Sequence, residues 1–339
     1  MKNYEYKLYD RNGQFKAVIT AFVTSAPMFT SQINGWQGEM TIDLNANSLE
    51  WSGEIFVRSD IVKVFVFSAK YKSGKLLYSW FIRNISRSYQ NKNLAISLSV
   101  VGLASLLANK KIGVVELVGT TREVLNKIVN RYRDEYNDKN ISLGEIAKNS
   151  AKINLKTDKN ATYMSVIQKI AEIAGGFFII DVNGKLNFYT QLPTIFLWID
   201  AEIFNFSMTE RLEDIRNVIE LEWDGNTIIQ QNAESIKKFG KIIEKKYERW
   251  IKDEITAQTY AENFLKKRAH PFPVISMTVR DTENIDIESI EPGICVKIQN
   301  LAIALNSNNS RIAKISYNSH SIQVELSSSD SLSQEFLSS

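Results

Sequence analysis

The first part of the chain alternates hydrophobic and polar residues with the period of two that a half-buried β-strand requires. Tyr4, Tyr6 and Leu8 alternate with charged neighbours, and the Asn12-Gly13 pair after them is typical of a hairpin turn. Further strands are predicted at 15–22, 54–58, 62–67, 75–83 and 94–100, the last leading into a short turn of helix. These short segments, separated by Gly, Asn and Ser, predict a small β-barrel or sandwich domain over residues 1–118.

The period then changes to that of amphipathic helices. Thr120 and Glu123 have the spacing of a capping box, and hydrophobic residues recur after them every three or four positions. A second helix is predicted at 160–174 and ends at Gly175-Gly176, because Gly adopts the left-handed cap conformation at little cost.

A predicted hairpin completes this middle part of the chain. Strands at 177–182 and 185–189 flank Asn183-Gly184, a pair that favours a tight turn. Residues 119–195 are therefore predicted to form an α+β middle domain.

The remainder returns to β-type alternation with one inserted helix. Ile219, Leu221 and Trp223 alternate with acidic residues before a predicted turn, and a helix is predicted from Thr256 until shortly before Pro271. Later strands are predicted at 274–280, 294–298, 311–317 and 322–326. We therefore predict a β-dominated α+β fold, in which a second small β domain (196–326) follows the middle domain and a Ser-rich flexible tail (327–339) follows that.

Composition narrows the possible chemistry. Lys and Arg total 41 and Asp and Glu total 38, so the formal net charge of +3 gives no strong field for nucleic acid or anionic membranes. Cys295, His270 and His320 are the only Cys and His residues, whereas structural zinc sites usually have four such ligands. The N-terminal segment lacks the apolar core of a signal peptide, and the longest apolar run is too short to span a bilayer. We therefore expect no cofactor, no metal and no transmembrane helix.

Known catalytic motifs are missing from the sequence. There is no Walker A segment, no GxGxxG and no GxSxG. His270 falls at a predicted helix end and His320 between two predicted strands, positions at which structural roles are ordinary. The sequence thus predicts a protein that is not an enzyme.

Acidic residues form two groups that keep two other interpretations open. The first group is Glu210, Glu213 and Asp214, and the second is Asp281, Glu283, Asp286 and Glu288. A cell-wall-degrading enzyme would need two such carboxylates across a sugar cleft, and the second group could hold a metal ion, although it lacks the spacing of a calcium loop. We expect both groups to lie on solvated faces.

Aromatic residues raise one further alternative. The basic segment 237–252 contains interleaved aromatics, a pattern found in nucleic-acid binding but equally consistent with a packed element. Trp36, Trp51, Trp80 and Trp198 could form a platform for sugars, although scattered Trp residues more often lie in cores or subunit interfaces. A receptor- or carbohydrate-binding adsorption protein is therefore the alternative function.

Four segments of the chain occur in an order and spacing that resemble those of the tail hub, or tail-associated, proteins of long-tailed phages, prophages and related injection machines. The segments are residues 6–19, 163–189, 215–241 and 290–326. These proteins are similar to the baseplate hub of contractile tails. The residues that carry the resemblance are Gly175, Gly176, Asn183, Gly184, Arg216, Asn217, Ser235, Ile236, Gly240, Pro292 and Gly293, here called the signature residues. One departure is Ile294, because the usual motif at this point is Pro-Gly-Asp.

The resemblance implies a structural function in the virion tail tip. Hub proteins form a homotrimer in which each subunit supplies two related β domains, so that a pseudo-sixfold ring joins a hexameric tail or tube protein to fibre or spike proteins. The tape-measure protein and DNA would pass through the central channel during genome ejection, and the host cell surface would be contacted only indirectly. Since no lytic or fibre domain is recognised after Leu326, the resemblance implies a bare hub.

Overall fold

The structure is a computed structural model, and it describes most of the chain. The described residues are 2–35, 38–45, 55–90, 93–148, 151–190, 195–198, 203–210, 212–271, 273–282, 285–300, 305–318 and 320–328. Most of the predicted Ser-rich tail lies outside them.

Strands dominate the described residues, and five α-helices separate them. The strands are β1 (Asn3–Tyr9), β2 (Phe15–Val18), β3 (Phe29–Gln32), β4 (Glu39–Asn45), β5 (Ile61–Phe67), β6 (Lys75–Gln90), β7 (Asn93–Gly102), β8 (Glu116–Thr120), β9 (Ser142–Ile146), β10 (Lys152–Lys156), β11 (Phe177–Ile180), β12 (Lys185–Tyr189), β13 (Ile195–Trp198), β14 (Ile203–Glu210), β15 (Val218–Trp223), β16 (Asn226–Gln231), β17 (Ile243–Tyr247), β18 (Pro273–Arg280), β19 (Cys295–Asn300), β20 (Leu305–Tyr317) and β21 (Ser321–Ser328). The helices are α1 (Ser105–Ala108), α2 (Thr121–Tyr136), α3 (Tyr163–Ala174), α4 (Ala233–Phe239) and α5 (Glu254–Arg268).

The first large sheet is antiparallel and contains most of the N-terminal strands. Its order is β2-β1-β5-β6-β7-β4, and β6 and β7 pair in it as a long hairpin. Alternate residues such as Leu8, Val64 and Trp80 face a buried core on one side, as the period of two predicts. The predicted turn at Asn12-Gly13 is confirmed, and it joins β1 to β2.

The middle of the molecule is built around α2, α3 and α5. The capping box at Thr120 and Glu123 is confirmed at the start of α2, and α3 ends at Gly175 in the left-handed conformation. The hydrophobic core of α2 and α3 also includes Ile219 from β15 and Tyr260 from α5. Later parts of the chain therefore return to pack against these helices.

The second large sheet contains the C-terminal strands. Its order is β13-β19-β20-β21-β18-β14, and all its pairs are antiparallel except β13 with β19. Met277, Ile315 and Val324 face its buried core. The β-dominated α+β fold class is thus confirmed, and both large sheets are open within the described residues.

One predicted strand is wrong, and another is shorter than predicted, because residues 20–22 of the strand predicted at 15–22 form a 3-10 turn. Residues 55–58 form a bend and a turn instead of a strand, and Glu54 lies outside the described residues. The carboxylate of Asp60 accepts a hydrogen bond from the amide of Val57 at 3.0 Å, and Lys16 donates to the carbonyl of Ile55 at 2.5 Å. These side chains satisfy the backbone groups that a neighbouring strand would otherwise pair.

Every helix in the described part of the chain is too short or too polar to cross a lipid bilayer.

Candidate functional site at the junction of the two sheets

A strand from the N-terminal part of the chain belongs to the C-terminal sheet. β3 pairs antiparallel with β20, from Gln32 opposite Lys314 to Phe29 opposite Tyr317. The amide of Gly38 then donates to the carbonyl of Thr30 at 3.0 Å, and β4 returns to the first sheet. Because β3 is hydrogen-bonded into the second sheet and the chain continues from it into β4 of the first, the relative position of the sheets is restrained by more than side-chain packing.

Three aromatic rings stack across this junction. Phe29 lies between Tyr78 of the first sheet, with ring centroids 4.3 Å apart, and Tyr317 of the second, at 4.7 Å. The interplanar angles are 23° and 12°. Offset aromatic pairs contribute about 0.5–1.5 kcal/mol each beyond the area they bury, so the stack stabilises the joint between the sheets.

A cluster of ion pairs lies beside the aromatic stack. Oxygens of Asp281, Asp286 and Glu288 lie within 4.8 Å of one another. Lys2, which precedes β1, contacts Asp281 at 2.8 Å and also pairs with Glu288. Lys70 pairs with Asp286, so lysines from the N-terminal part of the chain neutralise acids from the C-terminal part.

Hydroxyl groups complete this ion-pair cluster. Tyr317 donates to Glu288 at 3.1 Å, and Tyr71 donates to Asp286. Glu288 is only 6% exposed, so the expectation of a solvated face is wrong for this residue. Charges removed from water need partners, and the lysines and tyrosines supply them. Glu283 lies outside the described residues.

The pKa values of two carboxyls in the cluster shift in opposite directions. Burial raises the pKa of Glu288, and its hydrogen bond with Asp286 adds to the effect. Burial acts in the same direction on Asp286, but hydrogen bonds from Glu288, Lys70 and Tyr71 outweigh it and lower the pKa of that carboxyl. Asp286 is therefore the member of the pair that stays ionised, and it is bound by Lys70 and Tyr71. Its role in this arrangement is structural, because it joins the N-terminal and C-terminal parts of the chain.

A small cleft lies next to the junction. Its walls include Tyr78, Ile180, Pro292 and Tyr317, with Lys75 at one side. Its volume is about 50 Å³, enough for a few water molecules. Typical small-molecule sites measure about 300–1,000 Å³, so this cleft does not have the size of a substrate pocket.

The signature residues of segment 215–241 meet in one buried cluster. Asn217 is fully buried, and its amide nitrogen donates to the carbonyl of Gly240 at 2.7 Å and to the hydroxyl of Ser235 at 3.2 Å. Its side-chain oxygen accepts from the amide of Ile242 at 2.7 Å. The Ser235 hydroxyl in turn donates to the carbonyl of Ala269 after α5. This network fastens α4 between β15 and the end of α5.

The other two signature residues of that segment lie around this network. The guanidinium of Arg216 pairs with Glu244 at 3.0 Å. The carbonyl of Ile236, within α4, accepts from the amide of Gly240 at 2.9 Å.

The remaining signature residues occupy turns. Gly176 follows the Gly175 cap and lies against Phe188. At Gly184 a Cβ atom would lie 1.8 Å from the carbonyl oxygen of Asn140, and its φ of +77° also favours glycine.

Side chains and backbone groups hold two of these turns in place. The carboxylate of Asp181 accepts from the amide of Asn183 at 2.9 Å. Pro292 lines the cleft beside the junction, and the amide of Gly293 donates to Ile312 at 2.7 Å.

Both histidines are exposed, and the carbonyl of His320 accepts a hydrogen bond from the amide of Asp281 at 3.5 Å. His270 is exposed after the end of α5, and His320 is exposed in a turn where its amide donates to Asn318 at 3.0 Å. Glu213 is exposed in a short 3-10 turn that also contains Asp214, while the side chain of Glu210 lies outside the described part.

Of the four Trp candidates, only the side chain of Trp80 lies within the described residues. Trp80 is fully buried in the first core, which confirms a core position, whereas Trp36 and Trp51 lie outside the described residues. Trp198 belongs to β13. In the basic segment 237–252, Ile251 is buried as a packed element requires, but Tyr247 is 66% exposed.

The junction itself was missed by sequence reasoning. Lys2, Phe29, Tyr71 and Tyr317 come together there, and the contact between Tyr4 and Tyr317 joins positions 313 residues apart. Periodicity describes only neighbours along one element, so it carries no signal for such contacts. The sequence shows the acidic group 281–288, but it does not show which lysines and tyrosines pair with these acids.

Comparison with known proteins gives a consistent result for the fold. No family model matches the sequence, and no curated protein matches it either. Among solved structures, a 43 kDa tail protein of prophage MuSo2 from Shewanella oneidensis has a TM-score of 0.65 at 11% identity, with 97% of this chain and 99% of that one covered. A tail protein from Neisseria meningitidis has a TM-score of 0.63 at 10% identity, with 96% of both chains covered. The prophage tail protein gp18 from Listeria monocytogenes has a TM-score of 0.59 at 13% identity, with coverage of 95% and 94%.

These comparisons define the class of fold. The chain has the fold of solved phage and prophage tail proteins, and the likeness extends over nearly the whole length of both chains. The fold implied by the resemblance to tail hub proteins is therefore confirmed.

Proposed function

We propose that this protein is a structural hub subunit of a phage-type tail tip or baseplate, and that three copies form a pseudo-sixfold ring. The observation that carries the proposal is the pair of open sheets in one chain, the first of six strands and the second of seven, in which the N-terminal strand β3 belongs to the second sheet. Three chains would supply six such sheets, the number needed to match a sixfold tube. The tail-protein fold across the whole chain supports the same function.

A ring of this kind needs a fixed angle between the two sheets of each subunit. If the angle varied, alternating sheets could not close into one annulus. The β3–β20 ladder, the Phe29 stack and the Lys2–Glu288 pair all resist such variation. The junction is thus proposed to be the functional site, and its function is mechanical.

The proposed partners follow from the resemblance to tail hub proteins. The ring would contact a second and third copy of itself, a hexameric tail or tube protein on one side and fibre or spike proteins on the other. DNA and the tape-measure protein would pass through the channel. We also propose that the protein is not an enzyme, because the clustered acids are bound by lysines and tyrosines and the adjacent cleft is small.

The proposal is tested by measuring the mass and shape of the purified protein. Light scattering across micromolar concentrations should give three times the chain mass of 38.7 kDa, and averaged electron micrographs should show a ring with three or six lobes. A monomer at all concentrations that also fails to bind purified tail tubes would refute the proposal.

A further inference from the structure

An open cleft lies at the end of β17, where the chain leaves the three-stranded sheet β16-β15-β17 and passes α3. Its walls are formed by Lys169 of α3 and by the four residues 247–250, which belong to the basic segment with interleaved aromatics. Its volume is about 380 Å³, within the range of about 300–1,000 Å³ that small-molecule sites have. The proposed hub function gives this cleft no role.

Two aromatic side chains form part of the cleft wall. Tyr247 is 66% exposed, so its ring offers an apolar contact surface with a polar tip. Trp250 is half-buried and packs against the core of the helices. Its indole nitrogen donates to the carboxylate of Asp158 at 2.9 Å, which fixes the orientation of the ring. The cleft therefore presents one exposed ring and one ring held in place.

The polar side chains of the cleft are held in a hydrogen-bonded network. The ammonium group of Lys169 donates to Glu248 at 2.9 Å and to Glu172 at 2.6 Å. Glu248 also accepts from the hydroxyl of Tyr260 at 3.0 Å, and its side chain is only 14% exposed. Because these groups are already ordered, a ligand that binds them loses little affinity to side-chain ordering.

The charges at the cleft compensate one another. Lys169 lies between two carboxylates, and its ammonium group occupies the place that a cationic ligand would need. Arg249 pairs with Asp158 at 2.5 Å, and on the neighbouring strand Lys245 pairs with Glu220 at 2.8 Å. Phosphate and sulfate groups bind through available Lys and Arg side chains, so these pairs disfavour an anionic ligand such as nucleic acid.

We infer that this cleft binds a neutral saccharide. A sugar ring has an apolar C–H face that packs on an aromatic ring, and around its edge it has hydroxyl groups that both donate and accept hydrogen bonds. Tyr247 and Trp250 supply the aromatic surfaces, while Glu248 and Arg249 supply an acceptor and donors. The inference goes beyond the proposed function, because it gives each subunit its own contact with a glycan whether or not a ring forms.

Glycan-array binding of the full-length protein tests this inference. The array carries neutral bacterial surface glycans and neutral oligosaccharides of glucose, galactose, mannose and N-acetylglucosamine, together with heparin fragments and immobilised adenosine. Tyr247→Ala removes the exposed ring, and Tyr247→Phe keeps it. Tyr89→Ala is the matched control, because Tyr89 is 71% exposed on β6 and does not line the cleft. Circular dichroism verifies that each variant is folded.

The expected result is that the natural protein binds at least one neutral glycan. Tyr247→Ala should raise the dissociation constant for that glycan about 3- to 10-fold through the lost ring contact. Tyr247→Phe and Tyr89→Ala should leave it within about twofold.

Three results would each overturn the inference: no binding to any neutral glycan, binding only to heparin or adenosine, or equal affinity of the natural protein and Tyr247→Ala. None of them bears on the hub proposal, which is tested separately by the mass and shape of the assembled particle.

Discussion

Replacing Asn217 with Ala should lower the stability of the protein. Asn217 is completely buried and makes three side-chain hydrogen bonds, to Gly240, Ser235 and Ile242. In the Asn217→Ala variant the Gly240 carbonyl and the Ile242 amide lose these partners, and both groups are only partly shielded from water because Gly240 is exposed and Ile242 is half-buried. The Ser235 hydroxyl keeps its bond to Ala269.

The expected loss follows from the cost of unsatisfied groups. Each fully buried donor or acceptor left without a partner costs about 1–3 kcal/mol. Because the Gly240 and Ile242 groups are partly solvated, the two together should lower the free energy of unfolding by about 1–3 kcal/mol. The Asn226→Ala variant is a suitable control, because Asn226 is exposed and makes one long bond of 3.4 Å to Asp224. Its expected effect is below about 0.5 kcal/mol.

Urea denaturation followed by circular dichroism measures both variants. All proteins are compared at one concentration, since assembly would add its own stabilisation. If Asn217→Ala unfolds within about 0.5 kcal/mol of the natural protein, the network does not fasten α4 as described, because that is the range of neutral surface changes.

Three further predictions address the junction and the turns. Phe29→Ala should lower stability by about 2 kcal/mol, less than for a fully buried ring because Phe29 is half-buried, and should increase proteolysis near β3. Asp286→Asn should lower stability at pH 7, and its difference from the natural protein should shrink below about pH 4. A carboxyl whose pKa is lowered in the folded state stabilises the protein at pH values above its ordinary pKa, and this stabilisation is lost as the pH falls. A stability difference independent of pH would contradict this. Gly184→Ala should prevent soluble expression at 37 °C through its clash with Asn140, whereas Gly225→Ala, with a similar positive φ but open space around it, should remain soluble.

Local elements were predictable from the sequence because their signals are local. The capping box of Thr120 and Glu123 and the glycine cap of α3 each involve residues within a few positions of one another. The alternation of Ile219, Leu221 and Trp223 likewise describes a single strand against a core. Such patterns reflect short-range geometry that tertiary contacts leave unchanged.

The errors in the strand predictions share a different cause. Phe56 is buried as a strand residue would be, but the side chains of Asp60 and Lys16 hold the backbone around it in a turn. β3 shows the same limitation, because its partner β20 is almost the whole chain away. Pairing across such a distance depends on how complete sheets pack, which no window of sequence contains.

Because β3 pairs with β20, the synthesis of the chain determines when the molecule can become rigid. A nascent chain can form the first sheet early, but β3 has no strand to pair with until residues 314–317 have been made. Contacts of such long range form late and slowly. The last major step of folding thus waits for the synthesis of β20, and a chain terminated before residue 314 would lack the joint between the two sheets.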